Sequence, residues 1–232
     1  MTRVGVVTFP GSLDDRDARN AIAYLGAEPV ALWHADEGLR DVDAIVLPGG
    51  FSYGDYLRCG AIARFAKVMN DVRAFADAGG PVLGICNGFQ VLCEAGLLPG
   101  ALIRNTSMKF VCRWVDLRVE TTGSVVTSGL VEGDVVRVPI KHGEGQWIAS
   151  AEEIERVEGE GLVVLRYCSP EGEVGEAWNP NGTTDNIAGL RNARGNVVGM
   201  MPHPEHAVDP DLGPTGGAPL LRSLLDRVGV GA

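Results

Sequence analysis

Cys86 stands between two glycines in Gly84-Ile85-Cys86-Asn87-Gly88, at the end of the apolar run 81–85. A thiol in that place packs, binds a metal or attacks a substrate. Cysteine behaves as a small hydrophobe more often than as a reagent, so its surroundings must decide. Glycines two residues before and two after the cysteine match a strand–turn–helix nucleophile elbow with Cys in place of Ser. They relieve backbone crowding in a sharp turn. A helix starting directly after Cys86 turns unpaired N–H groups and its positive dipole end toward the sulfur, which favours thiolate over thiol. Cys93, further along the same helical stretch, has no glycine frame and is expected in the core. No metal is expected: the chain has no CxxC pair, and no histidine lies near Cys86 in sequence.

A thiolate nucleophile needs an oxyanion partner and a proton shuttle. The stretch 47–60, LPGGFSYGDYLRCG, follows a strand-like run, and its Gly49-Gly50 pair offers backbone N–H groups, with the Asn87 N–H as a second donor. Of the four histidines, His34, His142, His203 and His206, the informative one lies in 199–207, GMMPHPEHA. Pro204 biases His203 toward an extended conformation, in which residues i and i+2 share a face. Glu205 is then placed to orient the His203 ring and fix its tautomer, while His206 points elsewhere. His34 reads as a strand-end residue.

These residues require elements that bring distant loops together. Strand-like runs at 3–9, 29–33, 43–48 and 81–85 alternate with helical patterns at 14–27, 61–80 and 87–98. Such alternation predicts a parallel sheet covered by helices on both faces. Its reactive groups gather beyond the carboxyl ends of the strands. After residue 101 the pattern changes to strands at 113–122, 134–140, 162–168 and 196–202, with one further helix at 217–228. The expected architecture is α/β, a single domain over 1–232, with extra, partly antiparallel strands in the second half. The 232 residues carry 20 Lys and Arg against 30 Asp and Glu, a net charge of −10, which argues against nucleic acid or an anionic membrane as partner. No targeting segment or membrane-length apolar run is seen, and five cysteines without a scaffold spacing fit a reduced, cytoplasmic protein.

Taken together, the cysteine elbow and the distant His-Pro-Glu resemble the class I, triad-type glutamine amidotransferases. The blocks FPGS, PGGFSYGDYLRCGAIA, GICNGFQVL, HGEG, NPNGTTDNIAG and GMMPHPEH spread the resemblance over residues 9–206. It points to the glutaminase subunits that serve purine biosynthesis. The resemblance implies that Cys86 attacks the carboxamide of glutamine, His203 acts as acid and base, and Glu205 orients it. It further implies the Gly50 and Asn87 amides as oxyanion hole, and Gln90, Phe51 and His142 of the KHGEG loop (141–145) as glutamine-binding residues. No cofactor is implied in this chain, which has no GxxxxGK[ST] motif. ATP and Mg are expected on a large synthetase subunit, joined by a small accessory subunit. Two positions depart from the family: Leu13-Asp14-Asp15 stands where Asn-Cys-Asp is usual, and His206 where Arg is frequent. Neither is expected to touch the triad. Three other readings stay open: a glutaminase for anthranilate or guanylate synthesis, a cysteine-elbow α/β protein acting on reactive carbonyls or peptides, and a silent binding module.

Overall fold

The computed structural model describes residues 1–229. In chain order its first half contains β1 (Arg3–Thr8), α1 (Asp15–Tyr24), β2 (Glu28–Trp33), β3 (Ala44–Leu47), α2 (Val68–Asp77), β4 (Val82–Ile85) and α3 (Asn87–Glu94). The second half adds β5 (Ala101–Ile103), β6 (Val111–Val119), β7 (Val135–His142), β8 (Gln146–Ile148), α4 (Ala151–Gly159) and β9 (Val163–Cys168). It closes with β10 (Ile187–Arg191), β11 (Val197–Met200) and α5 (Gly217–Gly229). Nine strands form one sheet in the order β2-β1-β3-β4-β11-β10-β9-β6-β7, and β5 pairs separately with β8. From β2 to β11 neighbours are parallel, and from β11 to β7 they are antiparallel.

Every residue of β3, β4 and β11 is buried, as apolar strands covered on both faces require. Proline appears only where its missing N–H is harmless: Pro29 lies in β2 and Pro139 in β7, the two edge strands. The step from β1 to β2 runs one way across the sheet, and the step from β3 to β4 runs the other. Right-handed crossovers therefore place α1 and α2 on opposite faces, with the strand order reversing between β1 and β3.

Four adjacent parallel strands, β1, β3, β4 and β11, end at one edge. The register aligns their last residues: Leu47 pairs with Gly84, and Met200 pairs with Ile85. The loops holding Asp14, Gly50, Cys86 and His203 leave that edge side by side. A sheet edge thus gathers residues that the sequence scatters.

Several expectations about elements need correction. The pattern at 61–80 predicts one long helix, but the chain makes a short 3-10 turn at Ala63–Phe65, turns extended at Ala66 (ψ 146°) and only then enters α2. The turn packs on α3 while the Val68 N–H bonds the His34 carbonyl, so two anchors split the amphipathic run. α4 was not expected, although Ser150 and Glu153 spell a helix start, and the Ser150 hydroxyl does accept from the Glu153 N–H at 3.2 Å. β5, β8 and β10 were also unforeseen; two of them are only three residues long.

Two glycines separate packing from conformational preference. A Cβ on Gly88 would lie 1.9 Å from the Leu47 carbonyl oxygen, a backbone atom. Gly88→Ala is predicted to cost about 1–3 kcal/mol by overpacking. Gly159, in α4, meets nothing within 4 Å, so Gly159→Ala should gain about 0.5–1 kcal/mol. Thermal unfolding of both variants checks the pair, and equal melting temperatures would contradict the packing account.

Candidate active site

Cys86 adopts φ 51°, ψ −105°, a conformation that L residues avoid, at a typical cost of about 1–3 kcal/mol. Its surroundings impose it. The Cys86 N–H donates to the Met200 carbonyl at 2.8 Å, and the Cys86 carbonyl accepts from the Gln90 N–H at 3.2 Å as α3 begins. A Cβ on Gly84 would lie 2.7 Å from the Gly88 backbone, and Gly88 itself presses on β3. Both flanking glycines are therefore required by the close approach of strand and helix. The side chain ends up 6% exposed, with Sγ 3.9 Å from the Lys141 carbonyl.

Gly50 (φ 145°) faces Ser12 in an isolated antiparallel bridge. The bonds of that bridge run beside them, from the Leu13 N–H to the Gly49 carbonyl (3.2 Å) and from the Phe51 N–H to the Gly11 carbonyl (2.8 Å). In such a non-hydrogen-bonded pair the Gly50 N–H points away from its partner strand. Neither it nor the Asn87 N–H donates a hydrogen bond among the described residues. The Asn87 side chain ties the two loops, accepting from the Ser52 N–H (3.1 Å) and donating to Gln90 Oε1 (2.8 Å).

His203 is fully buried, and its Nδ1 lies 2.7 Å from Glu205 Oε1. Burial alone would push its pKa down. The charges of Glu205 and Cys86, with hydrogen bonding to both, overcome this and raise it to about 10. His203 Nε2 is buried and has no hydrogen-bond partner among the described residues. The backbone differs from the extended one expected. His203 is near-extended (φ −107°, ψ 87°), but Pro204–His206 forms a 3-10 turn. That turn brings His206 into the cluster, contrary to the expectation that it points elsewhere: its Nε2 is 3.4 Å from Asp14 Oδ1 and 3.7 Å from Glu205 Oε1.

Asp14 is the residue that the sequence reading missed. It is 3% exposed, and its Oδ2 lies 3.7 Å from His203 Nδ1 while Oδ1 pairs with Lys141 Nζ. Burial would raise its pKa. Hydrogen bonds from His206 and Lys141 and the positive charges of His203 and Lys141 outweigh burial and hold it well below the carboxylate range. The expectation that positions 14 and 206 stay clear of the triad is thus overturned. Polar atoms of Asp14, His203, Glu205 and His206 lie within 4.8 Å of one another, forming one compact cluster of charged groups. Lys141 supplies positive charge to that cluster.

In front of Cys86 opens a cavity of about 500 Å³, lined by Gly50, Phe51, Gln90, His142, Glu144 and other residues. Gln90 Nε2 donates to the Glu144 carbonyl at 2.6 Å, fixing the 141–145 loop to α3. Asn181 sits 3.0 Å from His142 Nε2, and burial together with the charge of His203 lowers the His142 pKa to about 3. His203 and Glu205 lie behind the cavity, outside its lining. Two other thiols are occupied: Cys59 donates to Glu144 Oε2 (3.0 Å) and Cys93 to the Pro99 carbonyl (3.4 Å), and burial raises the pKa of both. His34 follows β2 and meets the Tyr53 hydroxyl at 2.7 Å, away from the cavity lining.

The chain matches the family described as CobB/CobQ-like glutamine amidotransferase domain over residues 1–214. It is 59% identical to the phosphoribosylformylglycinamidine synthase subunit PurQ of Leifsonia xyli subsp. xyli, over 91% of this chain and 88% of that protein. The subunit of that name from Mycobacterium tuberculosis is 56% identical, with 97% of each chain covered. Among solved structures, a chain of PurLQS from Thermotoga maritima superposes with a TM-score of 0.87 at 42% identity, covering 98% of this chain and 99% of that one.

Cys59 and Cys86 both line the cavity, but the Cys59 thiol is tied to Glu144 and its pKa is raised, which leaves Cys86 as the thiol open to a ligand there. An electrophile built on the glutamine skeleton is predicted to alkylate Cys86 selectively, as read by peptide mass mapping. Cys86→Ser should remove the label and Cys93→Ser should leave it. Labelling of Cys59 or Cys93 instead would refute the reading of the elbow.

Proposed function

This chain belongs to the CobB/CobQ-like glutamine amidotransferase domain family, and from that premise we propose that Cys86, His203 and Glu205 hydrolyse glutamine and release ammonia. The chain supplies that ammonia to a partner synthetase that makes phosphoribosylformylglycinamidine in de novo purine biosynthesis. The observation that carries the assignment of roles is the strained Cys86 elbow beside a buried His203–Glu205 pair.

The Cys86 thiolate attacks the side-chain carbonyl carbon of glutamine, and the oxyanion forms toward the free N–H groups of Gly50 and Asn87. Removing one such donor typically costs about 10²–10³-fold in rate. Protonated His203 gives its proton to the departing nitrogen; the C–N bond breaks, and ammonia leaves with a glutamyl thioester on Cys86. His203 then takes a proton from water as the water attacks the thioester. Collapse of the second tetrahedral species breaks the C–S bond, releasing glutamate and restoring the thiolate. Glu205 keeps the proton on Nδ1, so that Nε2 does the transferring.

The cavity suits a zwitterion although the chain is acidic. Asp14, Asp55 and Glu144 line it with acidic groups, and Arg104, Lys109 and Lys141 with basic ones. Phe51, Gln90 and His142 complete the glutamine pocket, Gln90 chiefly by holding the loop that carries Glu144.

Residues 1–232 act as one amidotransferase domain, supported by the single sheet that runs through both halves. The chain needs no cofactor; ATP and Mg bind a large synthetase subunit, and a small accessory subunit completes the complex. Nucleic acid and membrane are not partners. No described helix is long and apolar enough to cross a membrane. The five cysteines are free, which supports a reducing, cytoplasmic setting.

In the complex reconstituted with the synthetase subunits, His203→Ala is expected to lower glutamine-dependent product formation by about 10²–10⁴-fold, the scale of a positioned acid–base group. Cys86→Ser should abolish it. Both variants should keep most ammonium-driven turnover, measured as phosphoribosylformylglycinamidine formed. Loss of both activities in an assembled complex would remove Cys86 from the role of ammonia-releasing nucleophile. Support of anthranilate or guanylate synthesis in a matched assay would redirect the pathway.

A further inference from the structure

Asp14 occupies the N-cap of α1 but its side chain caps nothing. An aspartate there ordinarily accepts a hydrogen bond from a backbone N–H of its own helix. Instead the carboxylate turns away from α1 toward β7 and the His203 turn, meeting Lys141 through Oδ1 and His203 Nδ1 through Oδ2, the latter at 3.7 Å. Space for that approach exists because residue 49 is glycine: a Cβ there would lie 2.3 Å from Asp14 Oδ2 and 2.8 Å from His203 Cε1. Lys141 in turn presents its carbonyl to the Cys86 sulfur at 3.9 Å. One carboxylate therefore links the loop after β1, the end of β7 and the ring behind Cys86.

We propose that Asp14 is a positioning residue for glutaminase chemistry: a second carboxylate that stabilises the His203 imidazolium from outside the His203–Glu205 hydrogen bond. Lys141 holds Asp14 in place and divides its charge. This inference rests on the reading of His203 as the acid–base group. The titratable and charged groups facing His203 are Glu205 and His206 on its own turn, Asp14 before α1, Lys141 and His142 on β7, and Cys86 at the elbow. Asp14 and Lys141 act on the ring with opposite signs, which gives the inference a signature that structural damage does not share.

The experiment measures glutamate release by the reconstituted complex against pH, with ammonium-driven turnover reporting assembly. The alkaline limb of kcat/KM records loss of the imidazolium proton in the free enzyme. Asp14→Asn removes a negative charge near the ring and is expected to shift that limb down by about one pH unit, the low end for a charge at this distance. The same variant should lower kcat by about tenfold with KM changed less than about threefold. Lys141→Gln removes a positive charge and should move the limb up. If Asp14→Asn does not assemble, Asp14→Ser replaces it with the same expectation. An unmoved limb in the Asp14 variant, or a shift of the same sign in both variants, overturns the proposal. His203→Ala is run in parallel: retained activity there sinks the acid–base reading, whereas its loss beside an unaffected Asp14→Asn sinks only the role of Asp14.

Discussion

The site depends on the backbone of one residue. Cys86 is held at φ 51°, ψ −105° between the last residue of β4 and the first of α3, and no side chain relieves that strain. The cost is local and the compensation is spread through the core. Gly84, Gly88 and Leu47 bring β3, β4 and α3 within backbone contact, and Met200 on β11 accepts the Cys86 N–H. A side chain at either glycine would push α3 off the sheet and release the elbow. The position of the Cys86 sulfur is therefore a property of the whole parallel half of the sheet.

The same sheet edge explains how three other loops reach one sulfur. β1, β3 and β11 are neighbours of one another or of β4, and their carboxyl ends lie level. The loop after β3 is pinned to the loop after β1 by the Ser12–Gly50 bridge, which leaves the Gly50 N–H free. The antiparallel extension contributes through β7: the Pro139 carbonyl accepts the His203 N–H at 2.9 Å. Pro139 sits at an edge and has no N–H of its own, yet its carbonyl fixes the turn that carries His203 and Glu205.

Much of this was legible in the sequence where chemistry and local geometry coincide. The glycine frame of Cys86, the Gly49-Gly50 turn and the His-x-Glu pair can each be read within five residues, and the structure brings them together at one sheet edge. Legibility failed where contacts are remote. The periodicity of 61–80 is helical throughout, but α3 and His34 pull its two ends in different directions. The pairing of Glu205 with His203 was expected for a different reason from the one found, since a 3-10 turn makes it, not an extended strand. Short strands such as β5 and β8 exist only because each completes the other.

Asp14 and His206 show most plainly why single positions mislead. Each departs from the family pattern, and each taken alone looks like surface variation. In the fold they are 3.4 Å apart, against the His203–Glu205 pair. A buried carboxylate without partners carries a penalty of several kcal/mol, so Asp14 is tenable only among donors and cations. Lys141, His203 and His206 supply them, from two elements far from residue 14 in sequence. The residue at position 14 is thus constrained by positions 141, 203 and 206 more than by its own neighbours in the chain. That constraint ties the loop after β1 to the buried ring of His203.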